Sequence, residues 1–259
     1  MSKYFITSDV HSFFDELMVA LDKNGFDVNN KDHILCVCGD LFDRGDQTVE
    51  LFKFVAKLQN RNRFIYVRGN HEDLLKDCMA EISAGRVPSS HHFHNGTVKT
   101  ICQFCGQGEW IVYDPTWRDR ICTTMQPILD WLDVKCVDYF EVGDYVFCHG
   151  WVPCYQGLDD FRDATKEDWE RARWENGMEM WRYPRCRVEG KTIVCGHFHC
   201  SWGWSHLRME RKEFPKKNRV DWEKSFEPFV DDGIMAIDAC TAYSGLCNVI
   251  VIEDEFMEE

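Results

Sequence analysis

The sequence predicts an α/β fold built from short buried strands, with helices between the early ones. Apolar runs recur along the chain, and each ends in a loop that contains Gly, Asp, Asn or His. Runs of this kind are typical of buried strands. Helical spacing of apolar residues between the first three runs predicts βαβ units up to about residue 85. The predicted strands read KYFITSD, ILCVCGD, FIYVRGN, DYVFCHG, KTIVCGH, GIMAID and CNVIVIE.

Two helices are predicted between the first three strands. The first has apolar residues at the i, i+3, i+4, i+7 spacing of a buried helix face, at Phe14, Leu17, Met18 and Leu21. Gly25 follows it and is suited to end it. The second helix has the same spacing at Leu51, Phe54, Val55 and Leu58.

Two strands close the predicted sheet system, near residues 234–238 and 247–252. Because only a short link separates them, we expect them to pair with each other, antiparallel, which makes the sheet system mixed. Residues 203–232 are rich in Trp, Lys, Arg and Glu, and their apolar residues show no periodic spacing. We expect a surface excursion there, with a substrate-facing lid as the alternative. No repeat or flexible linker divides the sequence, so we expect one domain over residues 1–259.

The charge balance is acidic, with 30 Lys and Arg against 44 Asp and Glu and a net charge of −14. This argues against nucleic acid and anionic membranes as partners, since both require clustered positive charge. No apolar run approaches the ~20 residues of a membrane span. Residues 1–11 have neither the basic nor the apolar part of an export signal. We therefore expect a cytoplasmic protein, a monomer or weak homo-oligomer.

The 14 cysteines are also consistent with a reducing compartment, because several lie inside the apolar runs as small core residues. Cys102 and Cys105 form the only C-x-x-C pair. A structural zinc site requires a second pair at similar spacing, and none is evident, so we do not expect one.

Polar residues of a few types follow five of the predicted strands. In α/β sheets, ligands bind beyond the carboxyl ends of the strands, so we expect these side chains to lie together. Any one of them alone is compatible with a turn or a helix cap. The set comprises Asp9, His11, Asp40, Asp43, Arg44, Asn70, His71, His149, His197 and His199.

Most of this set offers only oxygen or imidazole nitrogen, which suits Mn²⁺, Fe or Zn²⁺. The Asp40 carboxylate has two oxygens and could bridge two ions. Two cations ~3.5–4 Å apart would hold and deprotonate a bridging water and would grip phosphoryl oxygens. Such chemistry requires no protein nucleophile, in agreement with the lack of a P-loop, a G-x-S-x-G elbow or a C-x5-R loop.

Five motifs resemble those of the calcineurin-like metallophosphoesterases. They are S-D-V-H (Ser8 to His11), G-D-L-F-D-R-G (Gly39 to Gly45), R-G-N-H-E (Arg68 to Glu72), C-H-G (Cys148 to Gly150) and C-G-H-F-H (Cys195 to His199). More narrowly, D-x-x-D-R-G with G-N-H-E resembles the phosphoprotein phosphatase branch, which includes bacterial and phage serine/threonine protein phosphatases such as the lambda phage enzyme. The match in order covers most of the chain.

This resemblance implies a four-layer α/β/β/α sandwich with two mixed sheets and a dinuclear metal site at the C-terminal strand edge. It implies that the first metal is held by Asp9, His11 and Asp40. It implies that the second metal is held by Asp40, Asn70, His149 and His197. We expect two divalent ions, with manganese preferred over iron or zinc.

The resemblance also implies that Asp43 and His71 form a dyad that protonates the leaving oxygen and that Arg44 holds phosphate. A carboxylate beside an imidazole raises the imidazole pKa and fixes its tautomer, which makes a competent general acid. A guanidinium matches phosphate with two parallel hydrogen bonds. For a second phosphate-binding arginine we favour Arg173, with Arg182 as the alternative.

Three further features of the sequence bear on the site. Asn95, in F-H-N-G, resembles a loop residue that lines the substrate pocket, although a plain turn explains an N-G pair equally well. If the backbone stays extended through Phe198, His199 points to the same side as His197 and becomes a ligand of the first metal. The alternative is that His199 hydrogen-bonds a ligand or packs in the pocket. For the histidines in RVPSSHHFH we expect a solvated loop or pocket wall rather than a third metal site.

The sequence therefore predicts a metal-dependent phosphomonoester hydrolase that uses a metal-bridging hydroxide. A serine/threonine protein phosphatase, with broad specificity as a variant, is the favoured interpretation. The alternative is a dinucleoside polyphosphate (diadenosine tetraphosphate) hydrolase of the same fold, whose motifs are nearly the same. A catalytically silent binding module is disfavoured because no metal ligand is missing. The expected partner is a phosphorylated protein or a small phosphoester.

Overall fold

The computed structural model describes residues 2–155, 157–211 and 224–253. These ranges contain two five-stranded sheets. The first sheet consists of β1 (Lys3–Thr7), β2 (His33–Cys38), β3 (Phe64–Val67), β4 (Cys136–Val137) and β10 (Ile250–Glu253). The second consists of β5 (Phe140–Val142), β6 (Tyr145–Phe147), β7 (Thr192–Cys195), β8 (Phe229–Asp231) and β9 (Ile234–Ala236).

Both sheets are mixed. The first has the strand order β10-β1-β2-β3-β4, in which β10 runs antiparallel to β1 and the other neighbours are parallel. The second has the order β5-β6-β7-β9-β8, in which β6, β7 and β9 are parallel and the two edge strands are antiparallel. The parallel strands of each sheet therefore present their carboxyl ends at a common edge.

The helices fall into two sequence groups. The first group is α1 (Phe14–Lys23), α2 (Thr48–Gln59), α3 (Asn70–Ser83), α4 (Ser90–Asn95), α5 (Thr97–Cys105) and α6 (Arg118–Lys135). The second group is α7 (Lys166–Ala172), α8 (Gly177–Met180), α9 (Cys200–Arg211) and α10 (Thr241–Ser244). The two helices predicted from apolar spacing, α1 and α2, are confirmed.

Three apolar cores separate four layers. Because side chains alternate along a strand, Phe5 of β1 packs under the first group of helices while Ile6 faces the second sheet. In the same way, Phe147 of β6 faces the first sheet while Val146 packs toward α7 and its neighbours. The order is helices, sheet, sheet, helices. This arrangement confirms the predicted four-layer α/β/β/α sandwich.

The predicted pairing of the two closing strands is wrong. β9 pairs with β7 and β8 in the second sheet, whereas β10 pairs with β1 in the first. The link between them contains α10 and crosses from one sheet to the other. Short separation in sequence favoured a hairpin, but β10 completes the edge next to β1 instead, with Tyr4 opposite Ile252.

The segment 203–232 is more regular than the sequence suggests. Helix α9 occupies its beginning, and β8 near its end pairs antiparallel with β9. Trp202, Trp204 and Leu207 pack against the outer core of the second sheet, at a spacing too irregular to signal a helix. Residues 212–223 lie outside the described residues, so the expected surface excursion or lid is not described there. Within the described ranges, no helix is long and apolar enough to cross a membrane.

Candidate metal centre

The loops that follow the parallel strands adopt a backbone conformation that residues other than glycine rarely take. The φ angles of Asp9, His11, Asp40, Asp43 and His197 are 49°, 49°, 53°, 76° and 66°. Left-handed conformations cost about 1–2 kcal/mol for each such residue and persist where the surrounding structure enforces them. Their concentration on polar residues at one edge of the two sheets is typical of a functional site.

Asp40 lies at the centre of this site. Its Oδ2 is 3.7 Å from His11 Nε2 and 3.8 Å from His71 Nε2, while its Oδ1 is 3.3 Å from His149 Nε2. In the described part of the chain, two groups of ligand atoms lie within 4.8 Å of one another. They are His11, Asp40 and His71, and Asp40, His149 and His197. Each oxygen of the shared carboxylate therefore faces a different group, as a bridging ligand would.

Asp9 and Asn70 join the same cluster from the first sheet. Asn70 Oδ1 lies 2.8 Å from His149 Nε2, and Asp9 Oδ2 accepts a hydrogen bond of 2.9 Å from the backbone N–H of His197. Both side chains are buried. Because His149 and His197 follow strands of the second sheet, these contacts join the two sheets at the site. Asp9 lies outside both groups of closely spaced ligand atoms.

Two of the histidines have fixed ring orientations. His11 Nδ1 lies 2.8 Å from the carbonyl oxygen of Phe42, and His149 Nδ1 lies 2.9 Å from that of Cys38. A carbonyl only accepts, so each Nδ1 carries the proton. The Nε2 lone pairs therefore point toward Asp40 and are available as ligands.

Burial and mutual charge set the protonation of the cluster. Burial alone would raise the pKa of the Asp40 carboxyl, but the histidines around it, His149 first, lower that pKa below its usual value. Burial lowers the pKa of His11 well below its usual range, and burial with the charge of His149 lowers the pKa of His197 to about 3. Burial raises the pKa of Asp9. A buried carboxylate beside imidazole nitrogens is a donor set that fits divalent cations.

The Asp43–His71 pair lies beside this cluster. His71 Nδ1 is 2.7 Å from Asp43 Oδ2, and the hydroxyls of Thr97 and Thr100 donate to the same carboxylate at 2.9 and 2.8 Å. Arg44 Nη2 is 3.3 Å from His71 Nε2. Burial lowers the pKa of His71, but Asp40 and Asp43 raise it more, to about 9. The imidazole is therefore protonated at neutral pH in this environment.

Two glycines allow the backbone to approach the site closely. A Cβ on Gly39, whose φ is +85°, would lie 2.3 Å from His149 Nδ1. A Cβ on Gly196 would lie 2.1 Å from Asp9 Oδ2. A side chain at Gly39 would displace the His149 ring, and one at Gly196 would displace the Asp9 carboxylate.

Glu72 supports the Asp40 loop and was not among the predicted site residues. Its Oε2 accepts from the backbone N–H of Gly69 at 2.7 Å and of Asp40 at 3.1 Å, and its Oε1 accepts from Leu41 N at 3.2 Å. Glu72 lies three residues after Gly69 at the start of α3, which is the spacing of a capping box. The three-residue spacing between Gly69 and Glu72 is the sequence feature that could have indicated this supporting role.

Asp238 was also missed. It follows β9, is 3% exposed, and accepts 2.6 Å from the backbone N–H of Cys240. Burial, and then the charge of Asp9, raise its pKa well above the usual range. An acidic residue at the end of the apolar run GIMAID follows the same pattern as Asp9 and Asp40, so the sequence did contain a signal for it.

Arg173 and Asn95, the two further substrate-binding candidates, both have hydrogen-bond partners within the protein. Arg173 is 3% exposed, and its guanidinium donates to Asp73 at 2.7 Å and also to Asp138. Its role in phosphate binding stays a prediction. Asn95 is half-buried and donates to the His91 carbonyl at 2.9 Å.

The loop after Asn95 nevertheless lies next to the site. Gly96, with φ +88°, packs against the Arg44 backbone so closely that a Cβ would lie 2.3 Å from Arg44 N. The preceding histidines belong to helix α4 rather than to a loop, and His92 is buried while His91 and His94 are exposed. The expected loop is therefore a short helix, and the buried His92 is not solvated, which leaves the pocket wall as its expected role. No metal-binding group in the described ranges includes these histidines.

The extended backbone assumed for His199 is also wrong. The φ of +66° at His197 turns the chain immediately after β7, and α9 begins at Cys200. The His199 ring is exposed and lies outside both groups of ligand atoms found among the described residues. Partial burial, and then the positive charge of Arg44, lower the pKa of His199. The ligand role of His199 stays a prediction.

The four-layer fold and the two clusters that share Asp40 define a dinuclear metallophosphoesterase site. The family model of the calcineurin-like phosphoesterases matches residues 2–227 of the chain. The chain belongs to this family, which is dinuclear and metal-dependent.

Curated relatives match a shorter segment. The asymmetrical bis(5′-nucleosyl)-tetraphosphatase PrpE of Bacillus velezensis is 39% identical over 74 residues, which cover 26% of this chain and 30% of that protein. The symmetrical bis(5′-nucleosyl)-tetraphosphatase of Buchnera aphidicola is 40% identical over 72 residues, or 28% of this chain and 24% of that protein. The chain thus spans less than a third of the length of these relatives.

Solved structures share the fold over nearly the whole chain. A cold-active protein-tyrosine phosphatase from a psychrophilic Shewanella has a TM-score of 0.52, with 98% of this chain and 76% of that chain covered. A point mutant of a cold-active protein tyrosine phosphatase has a TM-score of 0.53 at the same coverage. The sequence identities are 14% and 15%, so this likeness shows the fold alone.

Proposed function

We propose that the chain is a metal-dependent phosphomonoesterase, and that phosphoserine and phosphothreonine in proteins are its main substrates. The observation that carries this proposal is the position of His71 beside the shared carboxylate of Asp40: its Nδ1 is hydrogen-bonded to Asp43 at 2.7 Å, and Arg44 Nη2 lies 3.3 Å from its Nε2. A serine or threonine alkoxide is a strongly basic leaving group. Such a group requires a general acid, and His71 is placed as one.

In this proposal the first cation is held by Asp9, His11 and Asp40. The second is held by Asp40, Asn70, His149 and His197. When bound, the two cations supply Lewis acidity toward phosphoryl oxygens and lower the pKa of water. Oxygen and imidazole donors without thiolate suit manganese, which we propose as the preferred metal.

The protein groups perform the remaining steps. Arg44 is exposed and its guanidinium lies next to the His71 ring, so it can bind two phosphoryl oxygens as the substrate enters. His71 donates its Nε2 proton to the leaving oxygen as the bond to phosphorus breaks. Asp43 holds the opposite ring nitrogen and stabilises the protonated form, while Thr97 and Thr100 fix the carboxylate.

A second candidate is hydrolysis of dinucleoside tetraphosphates. The curated tetraphosphatase relatives favour it, at 36–40% identity over the matched segments. In that reaction the leaving group is a nucleotide, and its phosphate oxygen is a much weaker base than an alkoxide. Hydrolysis of a dinucleoside tetraphosphate therefore depends less on proton donation by His71 than hydrolysis of a phosphoserine ester does. This difference allows the two candidate activities to be distinguished.

A substrate panel tests the proposal. Protein stripped with a chelator and verified metal-free is reloaded with Mn²⁺, Fe²⁺ or Zn²⁺. It is then assayed with phosphoserine and phosphothreonine peptides, diadenosine tetraphosphate, 4-nitrophenyl phosphate and bis(4-nitrophenyl) phosphate. We expect the peptides and the monoester to be cleaved, best with Mn²⁺, and the diester to be cleaved poorly. Cleavage of the dinucleotide alone would select the second candidate, and full activity without metal would refute both.

A further inference from the structure

An exposed tryptophan stands at the rim of the metal centre. The centroid of the Trp174 ring lies 5.9 Å from that of His197, with an angle of 85° between the planes. The indole is 51% exposed, whereas the ligand side chains Asp9, Asp40 and His149 are at most 2% exposed. Its edge-on packing against His197 leaves much of the large apolar ring open to solvent beside a buried polar cluster.

The backbone that carries this ring is held on both sides. The preceding residue, Arg173, is fixed by ion pairs to Asp73 and Asp138. On the other side, the backbone N–H of Glu175 donates to the Ala172 carbonyl at 3.2 Å. An aromatic ring mounted on an anchored backbone loses little conformational entropy when it contacts a ligand, which is the property of a binding surface.

The position also fits the reacting group. His197 belongs to one of the two groups of ligand atoms, so its ring neighbours the space where a phosphoryl group would bind. A ring attached directly to the phosphoryl oxygen extends only a few ångströms from phosphorus. It would therefore come close to the Trp174 indole, whereas the short aliphatic arm of phosphoserine offers no planar face to it.

We propose that Trp174 is a specificity-determining residue that stacks on a planar aromatic group carried by the phosphorylated substrate, and so adds aromatic phosphoesters to the substrate range. This inference rests on the proposed phosphoesterase function. The shared chemistry is an aromatic ring next to a phosphoryl group. Its source is either an aryl ester such as phosphotyrosine or the base of a nucleotide.

Non-hydrolysable probes separate stacking from turnover. Benzylphosphonate and cyclohexylmethylphosphonate have the same ring size, but only the first ring is planar and aromatic. Their dissociation constants would be measured by calorimetry with the manganese-loaded wild-type protein, Trp174→Ala, Trp174→Phe and Trp110→Ala. Trp110 is a matched control because it is also 51% exposed. Metal content and melting temperature would be measured for each variant.

We expect Trp174→Ala to weaken benzylphosphonate relative to cyclohexylmethylphosphonate by about 3–10-fold, the range of one aromatic pair. Trp174→Phe should keep most of the preference, which preserves the test if the alanine variant folds poorly. Trp110→Ala should change neither constant. An unchanged ratio in Trp174→Ala, or equal weakening of both probes, would overturn the proposal. Because binding alone is measured, the result stands whether or not the wild-type protein turns over any ester.

Turnover by the same variants identifies the source of the ring. The kcat/KM of wild-type protein and Trp174→Ala would be compared on a phosphotyrosine peptide, a phosphoserine peptide of otherwise identical sequence, and diadenosine tetraphosphate. A loss confined to phosphotyrosine supports stacking on an aryl ester. A loss confined to the dinucleotide supports stacking on a base. An equal loss on phosphoserine contradicts a stacking role.

Discussion

His71 is bound to two carboxylates at once: its Nδ1 lies 2.7 Å from Asp43 Oδ2, and its backbone N–H donates to Asp40 Oδ1 at 3.0 Å. The first carboxylate belongs to the proposed proton-donating pair, and the second belongs to both candidate groups of metal ligands. A single residue at the start of α3 therefore contacts both the proposed pair and the proposed bridging carboxylate. Substitutions of Asp43 and of Asp40 should therefore have different effects, the first on proton donation and the second on metal binding.

Replacing His71 by asparagine removes the proton donor. We expect kcat to fall by about 10²–10⁴-fold, with metal content unchanged. The loss should be much smaller for 4-nitrophenyl phosphate than for an alkyl phosphate, because nitrophenolate leaves without protonation. Steady-state kinetics on both esters, with metal counting, provides the measurement. An equal loss on both esters would assign His71 a structural role.

Replacing Asp40 by asparagine removes the shared carboxylate. Both cations should bind more weakly, the metal count should fall to one ion or fewer per chain, and turnover should be abolished. Elemental analysis after dialysis measures the stoichiometry. Asp144→Asn, at an exposed turn between β5 and β6, is the matched control and should keep the wild-type count. Two tightly held ions in Asp40→Asn would contradict the bridging assignment.

Arg44→Ala should act on phosphate binding. We expect KM and the inhibition constant of inorganic phosphate to rise about 10–100-fold, the range of a lost charge-assisted hydrogen bond. Arg44→Lys should recover part of the loss, because a point charge replaces the planar fork. Arg120→Ala, at an exposed position on α6, serves as a control. A variant that loses metal but keeps its phosphate affinity would argue against this role.

Asp238→Asn should stabilise the metal-free protein at neutral pH. Burial raises the pKa of Asp238 in the folded state, so its stabilising contribution is present below about pH 4 and is lost as the pH rises through the folded-state pKa. An asparagine amide does not titrate, so it avoids this cost, and its oxygen can still accept from the Cys240 N–H. We expect the variant to have a higher melting temperature than the wild type at pH 7–8.

The pH dependence is the check on this prediction. The difference in melting temperature between wild type and Asp238→Asn should shrink toward pH 4, where the carboxyl of the unfolded wild-type chain also becomes protonated. Asp119→Asn, whose side chain is 95% exposed, should show no comparable gain. A gain that is independent of pH would mean that charge burial is not its cause.

The strands and the polar loops could be predicted because their signals are local. A buried strand followed by an acidic or histidine loop can be recognised without knowing its partners, and β1, β2, β3, β6 and β7 all show this pattern. The strands β4, β5 and β8 are two or three residues long and carry too little pattern to recognise. Sheet membership of β9 and β10 depended on long-range packing, which proximity in sequence did not reveal.

The parts of the site that escaped prediction depend on distant contacts or on single backbone angles. Arg173 is paired with Asp73, a hundred residues earlier in the chain, and nothing near Arg173 in sequence points to that partner. The direction of His199 depends on the left-handed φ of His197, a conformation that histidine seldom adopts. Residue type and spacing could place both residues near the site but could not orient them.

The division of the ligands between the two sheets has a thermodynamic consequence. Asp40 and Asn70 follow strands of the first sheet, whereas His149 and His197 follow strands of the second, so a cation bound to all of them resists separation of the sheets. A ligand that binds only the folded state at a hundred times its dissociation constant adds about 2.7 kcal/mol to the free energy of unfolding. With the ligand set proposed above, the concentration of divalent cations should therefore raise the equilibrium stability of the folded chain as well as its rate of turnover.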